Sequence, residues 1–241
     1  MKTKSIYWAV QIAVAVIFSS SASTLGAQDL TIRMKMGDGA EGTTYYVSPA
    51  AIRKTTPGAT DVIDRIDRGT IIYLDHRSKT YKEGSAAQAR EAISKGMAKL
   101  DSEKLAGLDP QKKAILHQMG LDTPAQLTKI GPGETICGYP TDKYSIKMGM
   151  AQGELWITQA LQYPAAYYRD FNLLSGVGGP IGDAGKIADV HGIVLKRLMT
   201  MTLGRSTNPV TETAVSVEMT PIPSSMFDPP AGYRKVSGAG Q

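Results

Sequence analysis

Methionines recur in pairs at strand spacing. The pairs are Met34 with Met36, Met148 with Met150, and Met199 with Met201. Residues two apart on a β-strand point to the same face, so each pair presents two thioethers on one side. This pattern fits three uses: packing of an irregular core, a pliable apolar cavity for a lipid-like ligand, or a Cu(I) site built from soft thioether ligands. The methionines form no dense run along the chain and have no histidine nearby in the strands, which disfavours copper. We therefore predict a hydrophobic cavity lined by Met34, Met36, Met148, Met150, Trp156, Tyr167, Phe171, Met199 and Met201.

Catalytic groups are sparse. His76, His117 and His191 are scattered, and none has a second His or Cys at metal-ligand spacing. The Gly-x-Ser-x-Gly pattern of a nucleophile elbow is absent from the sequence. Cys137 lies in an apolar stretch, which predicts a buried, unpaired and inert thiol. The sequence thus predicts no enzyme, no cofactor and no metal site.

The first 27 residues have the order of a secretory signal peptide. Lys2 and Lys4 precede an apolar run over 6–18, and small residues lead to Leu25-Gly26-Ala27. The apolar run is shorter than the roughly 20 residues of a membrane span. We therefore predict cleavage near Ala27, a periplasmic or secreted mature protein, and no transmembrane segment after cleavage.

The content and distribution of charged residues bear on which partners the protein binds. The chain of 241 residues has 27 Lys and Arg against 22 Asp and Glu, and a single cysteine. The basic residues come in scattered pairs such as Arg53-Lys54 and Lys196-Arg197, which we interpret as solvated surface. Nucleic-acid binding usually needs a clustered basic face, so no nucleic-acid partner is predicted.

Period-two alternation dominates the chain outside two regions. Leu30, Ile32, Met34 and Met36 alternate with polar residues, as in a half-buried antiparallel strand. Similar segments are predicted as strands at 43–47, 51–55, 60–67, 70–74, 79–82, 135–139, 143–150, 154–158, 193–203 and 211–219, with Asn208-Pro209 joining the last two.

Helical spacing marks the two remaining regions, near 86–130 and 164–189. Ala89, Ile93, Met97 and Leu100 make one apolar stripe in the first, and Tyr167 and Phe171 lie on one face in the second. The predicted fold is mainly β (α+β): a curved antiparallel half-barrel sheet whose concave face is covered by the helical insertions. It occupies 28–236 as a single domain, and 237–241 form a flexible tail.

Four stretches carry a family resemblance. They are the isoleucine-rich segment 61–81, the segment from Cys137-Gly138-Tyr139 through Tyr144 to Trp156-Ile157-Thr158, the strand at Gly192-Ile193-Val194-Leu195, and the closing Met226-Phe227 with Pro230, Gly232 and Tyr233. In this order they resemble the exported proteins of the DUF4412 type, which are similar to lipoprotein carriers of the LolA and LolB kind. The resemblance implies a half-barrel sheet under helices, with an enclosed face that accommodates acyl chains in the carriers.

Two functions follow as expectations. The first is an exported, non-enzymatic protein that binds or shields a hydrophobic, lipid-like ligand, so its partner is a lipid or a lipidated molecule. The second is a structural or interaction domain of the cell envelope whose concave face is filled by its own side chains, with an envelope protein as its partner. An apolar pocket beneath the helices would favour the first, and a filled core the second.

Overall fold

The structure is a computed structural model that describes residues 28–37, 39–89, 91, 109–111, 126–148, 151–163, 167, 190–203 and 206–237. Within these ranges the chain is mainly β. A short 3-10 helix spans Ser224–Phe227. The strands are β1 Leu30–Met36, β2 Ala40–Val47, β3 Ala51–Thr55, β4 Asp61–Arg65, β5 Thr70–Asp75, β6 Thr80–Ser85, β7 Gln126–Pro132, β8 Asp142–Met148, β9 Ala151–Thr158, β10 Ile193–Leu203, β11 Ser206–Glu218 and β12 Arg234–Lys235.

All twelve of these strands form one open sheet. Its order is β12-β6-β5-β4-β3-β2-β1-β11-β10-β9-β8-β7. Neighbouring strands are antiparallel, apart from the short parallel pair of β12 with β6. The first and second halves of the chain meet where β1 pairs with β11. The mainly β, antiparallel fold predicted from alternation is therefore confirmed.

The strand β1 shows why alternation located the strands so well. Leu30 and Ile32 are fully buried, whereas Arg33 and Lys35 are exposed. The registers of β1 with β2 and β11 both shift between Arg33 and Met34 or Lys35, which marks a β-bulge. A glycine opposite the bulge accommodates it, because a Cβ at Gly42 would lie 2.7 Å from the Met34 carbonyl oxygen.

The predicted helical insertions are not supported. Residues 126–130, placed in the first insertion by sequence, belong to strand β7. Short helical pieces are described at 86–89, 91, 110–111 and 167, and the rest of both insertions lies outside the described residues. None of the described helices is both long and apolar enough to cross a membrane.

The segment around Cys137 is a tight turn, so the prediction of a strand over 135–139 was wrong. Ile136 and Tyr139 form an isolated bridge with backbone hydrogen bonds in both directions, each 2.9 Å. Cys137 and Gly138 between them have φ of 50° and 83°. Positive φ at both central residues is the geometry of a type I′ turn. Cys137 is exposed rather than buried, because a residue at the tip of such a turn has neighbours on one side only.

Three apolar clusters hold the sheet together. The Leu30 cluster lies at the junction of the two halves and contains Leu30, Ile32, Met34, Tyr45, Val47, Ile52, Ile136, Trp156, Leu161, Tyr167, Ile193, Leu195 and Ala214. The Tyr144 cluster belongs to the second half: Tyr144, Ile146, Leu155, Ile157 and Val194. The Phe227 cluster belongs to the first half: Ala51, Ile63, Ile72, Leu74 and Phe227.

Two arginines fasten the closing segment, residues 222–237, to the first half of the sheet. Arg65 donates to both carboxylate oxygens of Asp67 and, through Nη1, to Asp228 at 2.7 Å. Arg53 donates to Asp61 at 2.6 Å and to the backbone oxygen of Met226 at 2.8 Å. The side chain of Phe227 is thereby kept in its apolar cluster.

Candidate functional site

A group of charged and polar side chains lies beside the Leu30 cluster, where the two halves of the sheet meet. We call it the Arg197 site and define it by Tyr45, Lys54, Arg197 and Glu212. Tyr45 on β2 and Lys54 on β3 are direct cross-strand partners, and so are Arg197 on β10 and Glu212 on β11. Directly opposed side chains in an antiparallel pair lie on one face, about 5 Å apart at Cβ.

An ion pair forms one side of the site. Arg197 Nη2 lies 2.6 Å from Glu212 Oε2, and the Glu212 side chain is only 2% exposed. The Arg197 side chain is 20% exposed, so solvent reaches the guanidinium but not the carboxylate. Burying a carboxylate is costly unless a cation accompanies it, and Arg197 supplies that cation.

Tyr45 and Lys54 form the other side. Burial is the main cause that raises the pKa of Tyr45 above its ordinary value, and the nearby Glu212 carboxylate raises it further while Arg197 opposes the shift. Burial also lowers the pKa of Lys54 below its ordinary value, and Arg197 adds to that effect. The four ionisable groups therefore interact with one another across β1, in surroundings partly shielded from water.

The tyrosine connects the charged groups to the apolar cluster. The Tyr45 ring is a member of the Leu30 cluster, and its register partner on β1 is Ile32. Its hydroxyl is hydrogen-bonded to Thr43, whose own hydroxyl lies 3.1 Å from that of Thr56. The site thus places a small polar region at one side of a continuous apolar one.

Three of the nine residues predicted to line a cavity come together in the Leu30 cluster. They are Met34, Trp156 and Tyr167. Tyr167 is held there by a hydrogen bond from its hydroxyl to the backbone oxygen of Ser48. Lys143 and Lys196 lie over the Trp156 ring, with Nζ 4.9 and 4.5 Å from its centroid.

Among the other six, the two whose side chains are described do not belong to this cluster. Met199 packs against the Tyr144 cluster, and Met36 is 38% exposed at the end of β1. Met148 and Met201 lie in β8 and β10, with side chains outside the described part. Met150 and Phe171 lie outside the described residues.

A second polar cluster joins the closing segment to β4. Asp61 Oδ2 accepts hydrogen bonds from Arg53 at 2.6 Å and from Thr55 at 3.0 Å. His76 lies with Nε2 3.1 Å from the same oxygen and Nδ1 2.6 Å from the Tyr233 hydroxyl. A chain of an acid, an imidazole and a hydroxyl also occurs in enzymes, but here each member ties one part of the fold to another.

The positions of the described histidines and of the cysteine do not form a catalytic or metal-binding group. His76 lies in the turn after β5, and His191 precedes β10; His117 lies outside the described residues. The Cys137 thiol donates to the backbone oxygen of Ala214 at 3.3 Å, and burial of the sulfur raises its pKa above the ordinary value. Among the described residues, no group of three or more His, Cys, Asp or Glu side chains could hold a metal.

Sequence reasoning missed most of the Arg197 site. Lys54 and Arg197 were interpreted as solvated surface, and Glu212 was not singled out. That interpretation was wrong for Arg53 and Arg197, whose side chains are largely buried. One signal was available, because Glu212 interrupts a strand that is otherwise free of charge from 206 to 217.

The family comparison matches just over half of the chain. The match covers residues 108–233, from the region before β7 to near the end of the closing segment, and the family is described as a domain of unknown function, DUF4412. The chain belongs to the DUF4412 family. The resemblance noted from the sequence motifs is thereby confirmed. The matched part of this DUF4412 protein contains Arg197 and Glu212, whereas Tyr45 and Lys54 precede it.

Solved structures with partial likeness to this DUF4412 protein share little sequence with it. PNGF-II in the C2 space group is 12% identical, with 88% of this chain covered and a TM-score of 0.46. This chain spans only 31% of PNGF-II's length. An uncharacterised conserved protein from Thermus thermophilus is 10% identical over 88% of this chain and 91% of its own, with a TM-score of 0.45. MucB is 14% identical over 85% of this chain and 58% of its own, with a TM-score of 0.35. No protein of curated function matches the sequence.

Proposed function

We propose that this protein is exported and binds a hydrophobic, lipid-like ligand against the Leu30 cluster, beside the Arg197 site. The observation that carries the proposal is the Arg197–Glu212 pair at the border of the largest apolar cluster of the described residues. Replacing a buried ion pair by apolar residues of similar volume is often neutral or stabilising. A face that only had to be filled would therefore gain nothing from this pair, whereas a binding site gains a polar anchor.

The side chains around the pair suit an apolar ligand. Met34 is flexible and polarisable, so it adapts to chains of varied shape. Trp156 and Tyr167 offer large rings with a polar end. Apolar pockets with a few placed polar groups are the usual form of a small-molecule site.

Export is supported by the sequence of residues 1–27, with its charged, apolar and small-residue order. We propose that the mature protein begins at or near Gln28 and folds as one domain over 28–236. The hydroxyl of Tyr163 donates a hydrogen bond to the backbone oxygen of Gln28, so this residue is already part of the folded domain. Amino-terminal sequencing of the exported protein tests this, and a retained Met1 would contradict it.

A matched pair of variants tests binding. Met34→Trp adds volume within the Leu30 cluster, and Met199→Trp adds the same volume beside the Tyr144 cluster. Binding of cis-parinaric acid, a fluorescent polyene fatty acid, is measured for both variants and the wild type. We expect Met34→Trp to reduce binding by about tenfold or more and Met199→Trp to leave it within about twofold, with melting temperatures recorded for each.

The filled-core alternative predicts a different outcome. The wild type would then bind no probe, and organic extracts of the purified protein would contain no lipid by mass spectrometry. Met34→Trp would overpack the cluster and lower the stability by about 1–3 kcal/mol. That result would leave a structural domain of the cell envelope as the function.

A further inference from the structure

The charges of the Arg197 site do not cancel. Lys54 and Arg197 are cations, Glu212 is an anion, and the Tyr45 hydroxyl is neutral, as any tyrosine is at neutral pH. Glu212 is 2.6 Å from Arg197 and compensates that cation. The site therefore has an excess of one positive charge, contributed by Lys54.

Lys54 shares the Glu212 carboxylate with Arg197, because burial and Arg197 lower the pKa of Lys54 while Glu212 raises it. Its cross-strand neighbours are Tyr45 on β2 and Val62 on β4, neither of which is charged at neutral pH. No hydrogen bond or ion pair joins its ammonium group to any residue of the described ranges, yet the side chain is half-buried. A desolvated cation that shares one carboxylate with a second cation destabilises a fold, so its presence here needs a reason other than stability.

The apolar surroundings specify what kind of anion fits. The Tyr45 ring and its β1 partner Ile32 are both buried members of the Leu30 cluster. An inorganic anion would leave this apolar border unused, and a polyanion such as a nucleic acid would need a broad basic surface. One negative charge at the end of an apolar chain satisfies both parts of the site.

We propose that the ligand is an acyl chain with a single anionic head group, a carboxylate or a phosphate diester, and that Lys54 binds this head group beside Arg197. This inference rests on the proposed function and specifies its ligand class. The ammonium group of Lys54 donates charge-assisted hydrogen bonds to the head group. The ligand's charge then compensates the cation that the described part of the Arg197 site leaves in excess.

The experiment compares cis-parinaric acid with its uncharged methyl ester at about pH 7.5, where a carboxylic acid is ionised. Affinities are measured for the wild type, for Lys54→Met, and for Lys147→Met as a control that removes an exposed lysine of β8. We expect the wild type to prefer the acid by about tenfold, the strength of one charge-assisted hydrogen bond. Lys54→Met should abolish this preference with ester affinity unchanged, and Lys147→Met should retain it.

Competition assigns the head group. Dodecanoate and methyl dodecyl phosphate, a diester with one negative charge, are added separately to the wild-type complex with cis-parinaric acid, and the stronger competitor identifies carboxylate or phosphate. Circular dichroism and the melting temperature check the fold of each variant, and Lys54→Gln replaces Lys54→Met if that variant does not fold.

Three results would overturn the inference. Equal wild-type affinity for acid and ester, with binding observed, would reject the anionic head group and leave hydrophobic binding in place. An equal loss of both affinities in a folded Lys54 variant would show that the lysine only shapes the site. Absence of binding by either probe would reject the proposed function, and this inference with it.

Discussion

Replacing only Arg197 of the Arg197–Glu212 pair should lower the free energy of unfolding far more than replacing both residues. In Arg197→Met the carboxylate of Glu212, which is 2% exposed, loses the guanidinium that lies 2.6 Å away. Removing one partner of a buried pair costs about 3–5 kcal/mol. Because the Arg197 side chain is 20% exposed, water can partly replace it, and we expect the lower end, about 3 kcal/mol.

The double variant Arg197→Met/Glu212→Leu removes both charges and roughly keeps the volume. We expect its free energy of unfolding to lie within about 1 kcal/mol of the wild type or above it. For a domain of this size, a loss of about 3 kcal/mol corresponds to a fall in melting temperature of about 6–12 °C. Urea denaturation followed by tryptophan fluorescence measures the free energies, because Trp156 is buried in the adjoining cluster.

The matched control is Arg33→Met, which breaks the exposed pair with Glu218 on the neighbouring strands. An exposed pair contributes about 0–1 kcal/mol. If Arg197→Met costs no more than Arg33→Met, Glu212 is solvated when its partner is lost. The reasoning about the Arg197 site would then be refuted.

Three further predictions concern Lys54, Cys137 and Arg53. Burial lowers the pKa of Lys54 below its ordinary value of 10.5, so the unfolded state binds more protons between the two values and the free energy of unfolding rises with pH across that window. We expect this contribution to vanish in Lys54→Met, as shown by the difference between the pH–stability curves of the two proteins. Cys137 has a positive φ in a type I′ turn, where Asn is favoured and β-branched residues are strained. Cys137→Asn should therefore melt above Cys137→Val, and equal melting temperatures would argue against this turn. Arg53→Met removes the donor to Met226 and leaves the buried Asp61 carboxylate without its arginine, so the closing segment should be cleaved faster in limited proteolysis. The exposed Lys147 of β8 provides the control, and Lys147→Met should be cleaved at the wild-type rate.

Much of the sheet could be predicted because its strands are half-buried. Where one face of a strand meets a core and the other meets water, polarity alternates along the sequence, as in β1 with buried Ile32 beside exposed Arg33. The same reasoning located β3, β5 and β10 within about a residue of their ends. The local sequence pattern is sufficient to predict these strands, because side chains alternate between the two faces of a strand whichever strand it pairs with.

Prediction from the local sequence pattern failed where the backbone conformation, or residues distant in the sequence, determine the structure. The turn at Cys137-Gly138 lies between two apolar residues, so its sequence imitates a strand, and only Gly138 signals the positive φ. Asn208-Pro209 was predicted to join two strands, but both residues lie inside β11. A proline is tolerated there because β1 ends opposite Glu212, so β11 has only β10 beside it at that point.

The Arg197 site could not be predicted from the local sequence pattern, for a different reason. Its members come from β2, β3, β10 and β11, and the last two lie far along the chain from the first two. Whether Arg197 faces water or Glu212 is set by the register of β10 on β11. A bulge between Val194 and Lys196, in the pairing of β10 with β9, also changes the alternation of faces just before Arg197, which the sequence pattern alone does not reveal.

The pairing of β1 with β11 has a consequence for how this chain is made. Arg33 and Glu218, which meet across that pair, are 185 positions apart. Until β11 has been synthesised, β1 keeps an open edge, and contacts of such long range slow folding. An edge left open in this way readily pairs with other chains, so early folding carries a risk of aggregation. The sheet of this chain is therefore completed only when almost the whole chain has been synthesised.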